Sequence, residues 1–371
     1  MGEDLQTVRR GFCRGKKIVN MEKKSGKKIY LEVLRCVALL CVIAVHVAAI
    51  PIQNWETNPG TWYFVYPVTY AVGCLGVPLF LMISGSLLLD PQKNISLEKL
   101  YKKMIPRILL PLLFFGYCFA LMEIFFDTHT IKVSMFVEGL VHVLNKTSWE
   151  HLWYLYLLIG IYLLLPIIRV LLNKITDKQL EYLMGVLFFL AFVIPTVNKV
   201  LGTTISLEEP KPLCHITSFI MGYVVSRYHT SERFKKYLYL SGSVSFAILL
   251  IFELFAGKIS YESYKMLVGY DCIFIFAVGS MIFLLFHDKK DAIEKIITIP
   301  GGKIILSLAE CSFGIYLIHP VIMNILYKVM GWQPVMFNPV ISIPAFCIAF
   351  IVPCHIAVWI MKKIPVIRRL V

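Results

Sequence analysis

Ten predominantly apolar runs, separated by short polar segments, organise this chain. A hydrocarbon core about 30 Å thick needs about 20 residues of apolar helix to cross it. By that measure the spans fall near 31–50, 66–89, 108–126, 152–172, 180–198, 213–228, 237–256, 267–287, 304–327 and 339–361. The sixth is the shortest and carries His215, Thr217 and Ser218. No internal repeat is evident, and no loop is long enough for a second domain. The pattern predicts an all-α polytopic membrane helix bundle of about ten spans. A basic tail over 1–30 precedes the membrane domain over 31–361, and a short basic tail over 362–371 follows it.

Lysine and arginine then orient the bundle. The N-terminal tail carries nine, and alternate later segments carry five (91–107), three (169–178), four (227–236), four (289–303) and four (362–369). The opposite loops hold seven: Lys132, Lys146, Lys199, Lys211, Lys258, Lys265 and Lys328. Positive charge stays on the cytoplasmic side, so both termini are expected there, as an even number of spans requires. Residues 1–30 have no apolar core of their own and do not form a cleaved signal peptide. Met21 is itself a plausible start, which would make residues 1–20 dispensable.

Composition agrees. Of 371 residues 58% are hydrophobic and 16% charged, against about 25% charged in soluble domains. The net charge of +14 would suit nucleic acid, but no basic patch interleaved with aromatics lies on a soluble domain, so no nucleic-acid partner is expected. The ten cysteines, Cys36, Cys41, Cys74, Cys118, Cys272 and Cys347 among them, have neither CxxC nor zinc spacing. They read as small packing residues, and no metal is expected.

The first span holds Arg35 and His46. Eleven residues at about 100° each make three turns plus roughly 20°, so the two share a face, about 16 Å apart along the axis. Ionisable groups at such depth usually mark a pathway or reactive site. His46 is either a buried imidazole bonded to a carbonyl or a proton-transfer group. Arg35 either snorkels to the interface or anchors a phosphate through its two-pronged guanidinium. Tyr101-Lys102-Lys103-Met104-Ile105-Pro106-Arg107 opens the third span: positive-inside charge explains it, and so does a phosphate clamp. Pro106 fits a helix start, where N–H groups point outward. In the second span Gly73, Gly76 and Gly85 permit close helix approach, and Pro78 can bend it.

Ser312, Tyr316 and His319 fall at i, i+4 and i+7 of the ninth span and line one stripe, with Glu310 facing nearly the opposite way. His319 is a cavity residue or a structural one. His151 and Trp153 begin the fourth span from outside, as an aromatic belt or as contacts to an external acceptor. Glu123, His215, Glu253, Asp271 and His355 are further buried candidates. No GxSxG, Walker, HExxH or GxGxxG motif stands in a suitable context, which removes soluble hydrolase, nucleotide hydrolase and zinc-protease readings.

These segments together resemble the acyltransferase 3 family of integral membrane acyltransferases. The resemblance rests on Arg35 and His46 with ten residues between them, on Gly73 to Gly85, and on the basic run through Arg107 to Pro111. His151-Leu152-Trp153-Tyr154 and Gly314-Ile315-Tyr316-Leu317-Ile318-His319-Pro320 complete it. The sequence departs from the family pattern at Ser86, where many relatives have an aromatic, and at Lys102 and Lys103, where arginines are common. The resemblance implies ten spans in the plasma membrane and a cytoplasmic acyl-CoA, often acetyl-CoA, as donor substrate rather than a resident cofactor. The acceptor is expected to be a hydroxyl of a cell-surface glycan or lipid-linked sugar. By the same resemblance His46 and Arg35 are catalytic, His46 as general base or as transient acyl carrier; Arg35, Lys102, Lys103 and Arg107 hold the donor phosphates, and Ser312, Tyr316, His319, His151 and Trp153 contact substrate. Some relatives carry a fused extracytoplasmic domain; this protein is expected to act alone or with a separate extracytoplasmic partner. The rival reading is a secondary transporter or exporter, which would use the same buried polar groups without a covalent step.

Overall fold

The computed structural model describes residues 28–53, 64–203, 205, 212–227, 231–255, 264, 267–299 and 301–371, and among these it is helical throughout with no strand. Lipid offers no partner for backbone N–H and C=O groups, so apolar runs of this length are stable only as helices. The principal helices are α1 (Ile29–Gln53), α2 (Val65–Gly73), α3 (Gly76–Leu88), α4 (Pro106–Thr128), α5 (Val133–Leu144), α6 (Trp153–Lys174) and α7 (Asp177–Phe188). After them come α8 (Ile194–Leu201), α9 (Leu213–Arg227), α10 (Glu232–Phe255), α11 (Ile273–Asp288), α12 (Lys290–Thr298), α13 (Gly302–Asn324) and α14 (Pro339–Met361). They sort into two compact units: the described residues up to Asp90 with Thr176–His355, and Pro91–Ile175 with Ile356–Val371.

Each of the ten expected spans contains helix, and among the described residues eight helices are long and apolar enough to cross a membrane. The other two are α9, 15 residues, and α11, 16 residues. Thr217 to Val225 of α9 are all buried, so this helix is walled by protein and its length need not match lipid. Its polar positions are reconciled with burial locally: Thr217 Oγ1 donates to Leu213 O at 2.8 Å and Ser218 Oγ to Cys214 O at 2.9 Å. The helix α5 was not expected. At 12 residues, about 18 Å long, it is too short to cross.

Proline sets the irregularities. The second span breaks between α2 and α3 at Cys74, four residues before Pro78, whose ring has no N–H to return to the Cys74 carbonyl. Two π-turns, Leu100–Met104 and Phe189–Val193, each precede a proline by one residue, Pro106 and Pro195, and widen the backbone where the ladder loses a donor. The α-helix of the third span starts at Pro106 as expected, but a helical path through the π-turn leads into it. The helical path begins at Leu97, where Ser96 accepts from Lys99 N at 3.2 Å.

In the first unit α1 packs on α2 and α3 in antiparallel fashion, with Gly73 against Val45 and Gly76 against Val42 and Ala38. It runs parallel to α13: Cys36 Sγ lies 3.2 Å from Ile305 O near one end, and His46 meets His319 further along. First and ninth members of a ten-span bundle must share a direction. The tightest contact joins α3 to α9. A Cβ on Gly85 would stand 1.7 Å from Phe219 O, and one on Gly222 1.9 Å from Met82 O.

In the second unit, Ser148 Oγ donates to Gly116 O at 2.7 Å, tying the loop before α6 to α4. Phe119 stacks on Trp149 at 4.1 Å, and the Tyr156 hydroxyl donates to Val143 O at the end of α5.

Because backbone rather than side chain stands in the way, Gly85→Ala and Gly222→Ala should each destabilise the protein by about 3 kcal/mol or more, the upper end of ordinary overpacking. Gly160, which has nothing within 4 Å of its Cβ position, should accept alanine with a change below about 0.5 kcal/mol. Melting of the three variants in one detergent distinguishes them.

Candidate functional site

The helix α1 is unbroken from Ile29 to Gln53, so Arg35 and His46 keep the shared face and the separation of about 16 Å that their spacing implies. His46 is half-buried between Val45 and Val47, both buried. Its ring centre lies 4.8 Å from that of His319, with the planes tilted at 47°. His319 is fully buried, and its Nδ1 lies 2.7 Å from Tyr316 O. A carbonyl only accepts, so Nδ1 carries the hydrogen and the neutral ring keeps its lone pair on Nε2. The Tyr316 ring is 6.2 Å from that of His319. Two imidazoles from distant parts of the chain therefore adjoin in the interior of one unit.

Arg35 is half-buried and paired: Nη1 lies 2.7 Å from Oε2 of Glu32, three residues earlier. Glu32 escaped the sequence reading, although an acid three residues before a base on a helix is a recognisable pair. It takes one of five guanidinium donors and holds the group in a fixed direction. The Ser312 hydroxyl donates to Ala309 O at 2.8 Å, on its own helix. Glu310 is exposed, on the face away from His319.

The other predicted residues lie in the second unit. Lys102 Nζ is 3.0 Å from Glu98 Oε1, with both side chains 73% exposed. Lys103 and Arg107 are exposed as well. His151 is buried rather than presented to an outer surface, with the Phe119 ring 6.0 Å away and the Trp149 ring 6.1 Å away. Trp153 opens α6, its ring 6.1 Å from that of Tyr154.

The remaining buried candidates divide. Glu123 is exposed, contrary to expectation. Asp271 forms an ion pair with Lys199 at 2.7 Å, and His355 Nε2 meets Ser307 Oγ at 2.9 Å. Glu253 is 1% exposed and lies beside Tyr264, whose hydroxyl donates to Pro67 O at 3.1 Å.

A family model described as an acyltransferase domain matches residues 28–361. The chain belongs to the acyltransferase 3 family. No curated protein and no solved structure matches it. Membership makes this protein an acyltransferase, and its long apolar helices make it a multi-pass membrane protein. Every sequence segment on which the resemblance rested falls inside the matched region of this acyltransferase, including the stretch that carries the histidine pair.

Since the Ser312 hydroxyl is already spent on Ala309 O, Ser312→Ala should melt within about 1 kcal/mol of the unsubstituted protein. Acyl transfer should stay within about fivefold, the rate equivalent of that energy. A much larger loss of transfer at unchanged melting would mean that the hydroxyl contacts substrate.

Proposed function

We propose that this protein is a membrane O-acyltransferase of the plasma membrane. It takes an acyl group, acetyl in the first instance, from cytoplasmic acyl-CoA and passes it to a hydroxyl of a cell-surface glycan or lipid-linked sugar. The observation that carries this reading is the contact between His46 and His319 within a family of acyltransferases. Histidine removes a hydroxyl proton near neutral pH and returns it to a leaving group. In the proposed step His46 takes the proton of the acceptor hydroxyl as its oxygen attacks the thioester carbonyl. The carbon–sulfur bond breaks, and the proton passes to the departing thiolate, which leaves as CoA-SH. His319, held by its bond to Tyr316 O, borders the reacting groups.

The cation assigned to the donor phosphates is Arg35, aimed by Glu32. Lys102, Lys103 and Arg107 keep, as part of the proposal, the phosphate-binding role that their charge suggests. Lysine binds as a point charge and arginine as a fork, so Arg107 is the stronger candidate of the three. His151 and Trp153 remain assigned to the acceptor.

His46→Ala should lower acyl transfer by about 10²–10⁴-fold, the usual worth of a positioned acid–base group, while insertion and melting are unchanged. His319→Ala should fall in the same range. The assay follows thioester loss from radiolabelled acetyl-CoA by protein in nanodiscs, with cell-envelope extract as acceptor. Full activity of His46→Ala would sink the mechanism, and absence of any CoA-dependent product from folded protein would favour transport. Arg35→Ala should instead raise KM for acyl-CoA, and Arg35→Lys should restore it only in part, because a point charge cannot replace a bidentate contact. Initial rates across donor concentrations separate the two parameters.

A further inference from the structure

Glu253 lies close to the end of α10, a carboxyl 1% exposed inside the first unit. Among the described residues neither of its oxygens has a hydrogen-bond partner, and no cation pairs with it. It borders a cavity of about 20 Å³ between α2, α10 and α11. The rest of the lining is hydrocarbon, including Val68 and Val72 from α2, Leu75 before α3, Leu249 and Leu250 from α10, and Val278 from α11. Such a space has room for one water. A hard metal cation takes about six or more oxygen ligands, and no other lining side chain carries one.

The titratable groups around this end of α10 supply no free positive charge. They are Tyr70 from α2, Cys74 at the break before α3, Tyr264, and Asp271 and Cys272 before α11. Lys199, the cation of this region, is bound to Asp271 at 2.7 Å. The Tyr264 hydroxyl beside Glu253 gives its hydrogen to Pro67 O at 3.1 Å, so toward the carboxyl its oxygen accepts. A carboxylate also accepts. Two acceptors meet favourably when one of them holds a proton, and of these two the carboxyl is the one that can gain it. An isolated carboxylate among hydrocarbon is in any case costly enough that the group neutralises. Access is from the side: Val72 and Leu250 line the cavity and are each 37% exposed, on helix faces that a bilayer covers with lipid.

We infer that Glu253 is a proton-binding site, a neutral carboxylic acid reached from lipid between α2 and α10, and that apolar carbodiimides modify it. The reagent adds whole. The carboxyl oxygen bonds to the central carbon of N=C=N, the carboxyl proton passes to one nitrogen, and rearrangement to an N-acylurea releases nothing. The site does not depend on the proposed acyl-transfer step.

The test treats the full chain in nanodiscs with dicyclohexylcarbodiimide at pH 8 and maps adducts by peptide mass spectrometry. An ordinary exposed glutamate is protonated there about once in 5,000. Glu253 should therefore be labelled at least about tenfold more than the exposed Glu181, and a water-soluble carbodiimide should reverse that order. Infrared spectra read the proton independently of access. At pH 8 the unsubstituted protein should show the carbonyl stretch of a carboxylic acid that Glu253→Gln, an isosteric and uncharged replacement, lacks. Absence of that band, or labelling of Glu253 no greater than that of Glu181, would overturn the assignment.

Discussion

Close backbone contact at glycine controls the geometry of the first unit. The face of α1 that presents Ala38, Val42 and Val45 lies on Gly73 and Gly76, and α3 in turn lies on α9 through Gly85 and Gly222. Lipid tails are as apolar as leucine, so helices in a bilayer gain little from hydrophobicity and associate through packing of this kind. With carbonyls standing where side-chain atoms would be, neither α1 nor α3 can turn about its axis without collision. A rotation of α1 by one residue, about 100°, would carry His46 away from α13. The 4.8 Å approach of His46 to His319 thus depends on glycines that take no part in chemistry.

Most of the helices were legible because the solvent leaves few alternatives. An apolar run of about 20 residues in lipid is a helix whatever its intrinsic propensity. The bend at Pro78 was legible for a comparable reason, since a missing N–H acts locally. The helix α5 was not, because 12 residues fall below the length that hydrophobic counting recognises. Nor was the division into two units, which depends on contacts between distant segments. The burial of His151 among Phe119 and Trp149 escaped for the same reason.

The candidate site shows the same boundary. Periodicity placed Arg35 and His46 on one face, and Ser312, Tyr316 and His319 on another, because both statements concern single helices. That the two faces meet is a tertiary fact, and no spacing rule connects residue 46 with residue 319. The Arg35–Glu32 pair stood within reach of the sequence, being a three-residue spacing on one helix.

The buried hydroxyls bear on which kind of group transfer the interior can support. Ser86 donates to Ile83 O at 2.9 Å, Ser218 to Cys214 O at 2.9 Å, Ser280 to Phe276 O at 2.8 Å and Ser312 to Ala309 O at 2.8 Å, each within its own helix. A serine nucleophile needs its proton directed at an adjacent base, and these four direct it at carbonyls that cannot take it. Imidazole differs, because one nitrogen can be tied to a carbonyl while the other keeps its lone pair, as His319 shows through Tyr316 O. These four helices satisfy their serine hydroxyls by turning them inward on their own backbone, whereas the imidazole of His319 keeps a lone pair directed elsewhere. At these four serines an acyl-serine intermediate is disfavoured, and the reason is the hydrogen-bond requirement of a buried helix rather than family likeness.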